Sequence, residues 1–271
     1  MLTVLEFLGF RLILSSGTVL GNRTAVLTFD VENDLNLSSF HGLEIGLPKI
    51  LQLMKRLRIP ATFFVTGEVA EKYPTVVRSL SDQYEVACHG YHHESLQKLD
   101  PQKISLIKRA KKVIEEVTTR EIIGFRAPYL RVSPELFDIL KKVGFRYDSS
   151  LSWFNVKHWS INARITEFRL MFPNVFFRFP FFNYLFERWS LLQKEAVFYF
   201  HPWEAVDVRS LLITRPRYLC NIFSRPDRWL NSGRVFLSRL SDLVQYLLHH
   251  GFQFKTLANI YLESVRNDNS K

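Results

Sequence analysis

Three histidines fall within five positions in HGYHH (89–93), in a chain that holds eight histidines altogether. Imidazole nitrogens bind borderline metal ions and exchange protons near neutral pH, so such a cluster directs attention to the acids around it. His89 and His93 stand at i,i+4, a spacing that brings both rings to one face of a helical turn, as a shared ion requires. His92 points away from that face and is read as supporting or exposed, while Cys88 is expected to point into the core beneath. Acids gather in FDVEND, where Asp30, Glu32 and Asp34 alternate with other residues. Further along stand Arg126, Asp148 and His201, the last in HPWE with Trp203 two positions on.

These residues follow apolar stretches that read as strands. TAVLTFD (24–30), ATFFV (61–65), YEVAC (84–88), IIGF (122–125), FRYDS (145–149), AVFYF (196–200) and FQFKT (252–256) are short, apolar and rich in β-branched or aromatic residues. Helices are predicted between them. LPKILQLMKRL (47–57) has Leu47, Ile50, Leu51, Met54 and Leu57 at helical spacing, and 68–80 is a shorter helix interrupted at Pro74. Asp100-Pro101 opens a third, Ser133-Pro134 a fourth that Gly144 closes, and 234–249 ends before Gly251. Strands alternating with helices imply a mainly parallel sheet, open or closed into a barrel, in one domain. In such folds the C-terminal strand ends share the face where ligands bind. Asp30, Glu32, His89, His93, Arg126, Asp148 and His201 all fall at or just after such ends. Taken singly each has a bland explanation: an Asp that caps a helix, a surface Arg before Pro128, an ordinary His-Pro-Trp turn. Their joint occurrence favours a site.

Composition narrows the function classes. With 47% hydrophobic and 23% charged residues the chain can build a sizeable core, and wholesale disorder is not expected. Cys88 and Cys220 provide neither a disulfide framework nor paired metal thiolates, which leans toward a cytoplasmic protein. The opening MLTVLEFLGFRLIL is broken by Glu6 and Arg11, lacks a basic leader and a small-residue cleavage site, and falls short of the roughly 20 residues of a span. A net charge of +10 favours anionic partners, but the basic residues are scattered and no nucleic acid is expected. We expect peripheral contact with the inner face of an anionic membrane instead.

In order along the chain, TFDVEND, HGYHH, RAPYL, YDSSLSW and FYFHPWE resemble the motifs of the polysaccharide deacetylases, carbohydrate esterase family 4 with its NodB homology domain. The Phe-Asp-Val-Glu and His-Pro-Trp-Glu variants look like the branch associated with exopolysaccharide and lipid-linked glycan export. The resemblance runs from about residue 24 to 260, so we divide the chain into an extension (1–23), a deacetylase domain (24–262) and a tail (263–271). It implies a distorted (β/α) barrel of about seven parallel strands that hydrolyses the N-acetyl group of an amino sugar.

By the same resemblance Asp30 is the general base, His89 and His93 hold a divalent ion, and His201 is the general acid. Arg126 would orient Asp30, Asp148 would pair with His201, and the Tyr129 amide would stabilise the oxyanion. Two departures stand out. Val31 replaces the family's second, metal-binding Asp, and Tyr199 replaces the Leu that lines the acetate pocket. On an extended segment Asp30 and Glu32 project to one side while Val31 turns inward, so Glu32 is our expected third ligand, with Asp34 the competitor if the chain turns sharply. Two imidazoles and one carboxylate suit Zn²⁺.

FRLMFPNVFFRFPFFNYLF (168–186) reads either as strands lining the barrel or as a greasy lip that meets a bilayer or lipid-linked sugar. Tryptophans 153, 159, 189 and 203 could stack on sugar rings or pack. Two other functions stay open: an allantoinase-like or cyclic-imide hydrolase, metal-free or not, and a catalytically silent glycan-binding module.

Overall fold

The first strand, β1 (Arg23–Val31), is buried from Ala25 to Val31 without a break, the pattern of a parallel strand covered on both faces. The computed structural model describes residues 23–34, 39–152, 165–171, 175–179, 182–207 and 230–269. Among them follow β2 (Thr62–Val65), β3 (Glu85–Cys88), β4 (Gly124–Phe125), β5 (Tyr147–Asp148), β6 (Thr166–Glu167), β7 (Glu195–Phe200) and β8 (Phe252–Phe254). Seven strands form one path in the order β6-β5-β4-β3-β2-β1-β7, every pair parallel, and β8 pairs with the start of β1. Beyond β6, Leu170 bridges Ser152 on one side and Val197 of β7 on the other, which closes the curled sheet. The expected distorted (β/α) barrel is therefore present.

Helices α1 (Leu47–Leu57), α2 (Gly67–Lys72), α3 (Pro74–Gln83), α4 (Pro101–Thr118), α5 (Pro134–Val143), α6 (Val175–Arg178), α7 (Phe182–Ser190), α8 (Arg234–His249) and α9 (Leu257–Asn269) accompany the strands. Helix α1 buries Leu47, Ile50, Leu53 and Met54, one stripe of a 3.6-residue repeat. The break between α2 and α3 falls at Tyr73, because Pro74 lacks an N–H and starts a helix best at its first position. Asp100 Oδ1 accepts the Lys103 amide at 2.8 Å and caps α4, and Gly144, at φ 95°, ends α5.

The abundant phenylalanines meet between the sheet and these helices. Phe29 stacks on Phe63 at 5.1 Å, Phe177 meets Phe200 at 5.0 Å, and Phe200 meets Phe236 of α8 at 5.5 Å. This answers part of the 168–186 question. Phe168, Phe177 and Phe186 are buried, but after Leu170 the described parts of the segment are helical, α6 and α7, and not strands. The apolar content was right for a core and silent about period. Tyr184 and Leu185 are exposed. Tryptophans 153 and 159 lie outside the described residues, and Trp189 packs against the core.

At the N-terminal strand ends the partly buried Glu85 carboxylate accepts from Thr62 Oγ1 (2.7 Å) and the Ala258 amide (3.0 Å), and pairs with the Tyr147 hydroxyl. These bonds seat α9, which continues past position 262 without a break. No described helix is long and apolar enough to cross a membrane.

Candidate active site

At the opposite, C-terminal ends of β1, β3, β4 and β7 the sequence-predicted residues converge. Asp30 and Glu32 leave β1 on the same side, and Val31 between them is buried in the core. Glu32 Oε2 lies 3.3 Å from His89 Nε2 and 2.5 Å from His93 Nε2. His89 Nδ1 donates to the Arg126 carbonyl at 2.9 Å; since a carbonyl only accepts, the neutral ring carries its proton there and presents a lone pair at Nε2. Glu32 Oε2 and His89 Nε2 are buried, yet neither makes a hydrogen bond of good geometry. Buried polar atoms without partners are costly, and a cation at their focus would satisfy both. Ligand atoms of Glu32, His89 and His93 all lie within 4.8 Å of one another, so the donor set fits a metal ion.

The imidazoles do not converge by the expected route. Residues 89–98 form a loop, not a helical turn. His93 adopts φ 62°, a left-handed conformation that brings its ring back beside His89, 5.3 Å away, and over Tyr129, 4.2 Å away. His92 turns outward to Glu68, 3.5 Å away. Cys88 is in the core, where burial pushes its thiol up to about 12.

Around this triad stand the other titratable groups. Arg126 is wholly buried over the Phe64 ring (4.0 Å) and donates from Nη1 to Asp30 Oδ1 (2.6 Å) and Thr28 Oγ1 (2.7 Å). Its other nitrogens bind the Ser149 carbonyl (2.8 Å) and hydroxyl (2.9 Å), so its planar fork leaves Asp30 little freedom. Asp30 Oδ2 sits 3.9 Å from His89 Nε2. Across the cluster His201 Nε2 lies 3.8 Å from Glu32 Oε1. Burial raises the cost of charge on Glu32, but the close His89 and His93 rings and the nearby His201 outweigh it and hold the carboxyl well below its usual range. For His201 burial again opposes charge, and Glu204, Glu32 and Asp30 outweigh it, raising the ring's pKa.

Two expected partnerships are not found. Asp148 does not meet His201. It accepts from the Ser150 amide and hydroxyl, both at 2.9 Å, and the same hydroxyl accepts the Ala127 amide at 2.8 Å, so Asp148 braces the Arg126–Tyr129 loop. The carboxylate at His201 Nδ1 is Glu204 Oε1, 3.2 Å away. Nor does Trp203 offer a face to a sugar: it is 7% exposed, stacked on His201 at 5.5 Å. Glycine at 46 permits this turn to sit close, for a Cβ there would lie 1.9 Å from the Pro202 carbonyl oxygen.

Tyr129, at φ 58° and half exposed, stands at the rim, and the half-buried Tyr199 ring lies 5.7 Å from Arg126 and 6.0 Å from His201. Asp34 is not beside the triad; it accepts from Ser39 Oγ (2.9 Å) and the His41 (2.5 Å) and Gly42 (2.7 Å) amides, capping the turn into α1.

A candidate cation site flanked by a carboxylate and an imidazole thus stands at the C-terminal strand ends of a (β/α) barrel. Residues 18–147 match the polysaccharide deacetylase family model. Over this stretch, just under half of its length, the chain is similar to the polysaccharide deacetylases. A peptidoglycan deacetylase-like protein of Gibberella zeae is 32% identical over 135 residues, 48% of this chain and 40% of the relative. A peptidoglycan deacetylase of Helicobacter pylori is 32% identical over 124 residues, 45% of this chain and 42% of that protein. The chain thus spans about two fifths of these relatives' length. The structure of a carbohydrate esterase family 4 pseudoenzyme from Bacillus anthracis superposes with a TM-score of 0.57 at 15% identity, over 89% of this chain and 66% of that one. At that identity the likeness concerns the fold alone.

Proposed function

We propose that the protein is a metal-dependent amidohydrolase that removes the acetyl group from an N-acetylated amino sugar in a polysaccharide or lipid-linked glycan. One observation carries the reading. Asp30 approaches the Glu32–His89–His93 cluster from the His89 side and His201 from the Glu32 side, 3.9 and 3.8 Å away respectively. Amide hydrolysis needs a base for water and an acid for the departing amine, set around one carbonyl carbon.

The residues divide that work. Glu32, His89 and His93 would hold the ion, Zn²⁺ by the chemistry of two imidazoles and one carboxylate. When bound, such an ion polarises a carbonyl and lowers the pKa of water. Asp30, its other oxygen bound to Arg126, takes a proton from the attacking water. The Tyr129 backbone amide, at the rim beside His93, is the donor we assign to the developing oxyanion. His201 then gives the Nε2 proton to the amine as the C–N bond breaks, leaving acetate and a free amino group. Tyr199, beside Arg126 and His201, bounds the acyl side of the site.

Acetate release from N-acetylglucosamine oligomers, measured beside turnover of ureides and cyclic imides, tests the assignment. Acetate release abolished by a chelator is the expected result. Turnover of a ureide or imide alone, or of no substrate, would overturn it. The formal net charge of +10 supports, as part of the same reading, a peripheral contact with anionic membranes.

A further inference from the structure

Behind His201 lies a row of buried charges to which deacetylation as described gives no task. The ring turns Nε2 toward Glu32 and Nδ1 toward Glu204 Oε1, 3.2 Å away. The same oxygen accepts the His201 amide at 3.0 Å, so ring and backbone are gripped at one point. Glu204 is wholly buried, and its Oε2 faces Arg178 Nε at 2.8 Å as an ion pair without hydrogen-bond alignment. Arg178 is buried too, its guanidinium 4.9 Å over the Trp203 ring that stacks on His201. Its carbonyl accepts from Asn231 Nδ2 and Arg239 Nη1, both at 2.6 Å, which ties α6 to α8 and the turn before it.

A purely structural role is available to Glu204, as the capping-box residue of the turn Pro202–Ala205. A neutral Gln would cap that amide equally well. It would also avoid the desolvation of a carboxylate, which a buried ion pair recovers only with good geometry. The charged pair therefore calls for another reason, and the position of Nδ1 supplies one.

We propose that Glu204, its charge balanced by Arg178, is the positioning residue of His201: it keeps a proton on Nδ1 and so commits Nε2 to proton delivery. This deepens the deacetylase reading and rests on it. In the protonated ring Nδ1–H points to Glu204 and Nε2–H toward the cluster. As the C–N bond breaks, the Nε2 proton passes to the amine nitrogen, and the neutral ring keeps Nδ1–H. The proton that Asp30 took from water returns to solvent, and His201 regains one there. Isolated neutral imidazole has no such partner to hold the proton on Nδ1. This is the part our reading gave to Asp148, which faces Ser150 instead.

The test compares two leaving groups. An N-acetyl sugar needs a proton on its departing nitrogen, whereas p-nitrophenyl acetate releases a stable phenolate and needs none. In Glu204→Gln the ratio of acetamide to aryl acetate kcat/KM should fall about 10²-fold, the share of one general acid. Because a lone Gln removes the carboxylate that faces Arg178, the double variant Arg178→Met, Glu204→Met is measured too and should show the same fall. Ring ¹⁵N spectra read the tautomer without any activity: neutral His201 should carry Nδ1–H in the wild type and Nε2–H in the double variant. Equal slowing of both substrates, or the same tautomer in both proteins, would overturn the proposal. A wild type that releases acetate from neither substrate would overturn the deacetylase reading, while the tautomer comparison still decides the part of Glu204.

Discussion

Asp30 and Arg126 are buried as a pair, and the two halves of that pair are not equivalent to lose. Asp30→Asn keeps the shape and an acceptor but not the base, so turnover should fall about 10²–10⁴-fold with the fold intact, and His201→Ala should do the same. Acetate release by either well-folded variant at near wild-type rates would remove that residue from the mechanism. Arg126→Leu instead strands a buried carboxylate and should cost about 3–5 kcal/mol in denaturant unfolding, the usual result of breaking a buried ion pair from one side. Stability within 1 kcal/mol of wild type, roughly the size of a surface pair, would contradict the pairing. Most of these side chains were legible in the sequence, because acids and imidazoles stood directly after apolar runs. Glu204 was not. It sits inside a short turn, and its partner Arg178 lies in a segment whose aromatic residues conceal its period.

The elements explain where reading by pattern stops. An i,i+4 pair of histidines looks the same whether the chain between them is helical or looped, and here Gly90 (φ 73°) and His93 (φ 62°) make it a loop. Apolar runs at 122–125 and 145–149 marked strands, yet only Gly124–Phe125 and Tyr147–Asp148 are paired, since pairing depends on neighbours distant in sequence. Strand β6 had no apolar signal; it brings Glu167 beside Asp148. Burial raises the pKa of both carboxyls, and the charge on Asp148 raises Glu167 further. A folded pKa above the unfolded value means full stabilisation below the ordinary carboxyl range and loss as pH rises through the folded value. Glu167→Gln stays neutral and should gain Tm relative to wild type as pH rises above the ordinary carboxyl range. A difference that is flat with pH, or that falls, would rule out the raised Glu167 pKa.

At the scale of the whole molecule the barrel brings four strand ends to one face, and α9, seated by Glu85, covers part of the other. The chain as a whole carries a formal net charge of +10. We expect the protein to sediment with anionic liposomes at low salt and to be released at high salt, since screening shortens the reach of surface charge to about 8 Å at 0.15 M. Failure to sediment at low salt would confine the aromatic segment to packing. The central claim is that Glu32, His89 and His93 hold one cation between the base and the acid. Metal content of the purified wild type, Glu32→Ala, His93→Ala and Asp34→Ala proteins tests it most directly. The account predicts bound Zn²⁺ in the wild type and Asp34→Ala proteins and its loss from the other two; full metal in Glu32→Ala with loss in His93→Ala, or a metal-free wild type indifferent to added zinc, would contradict it.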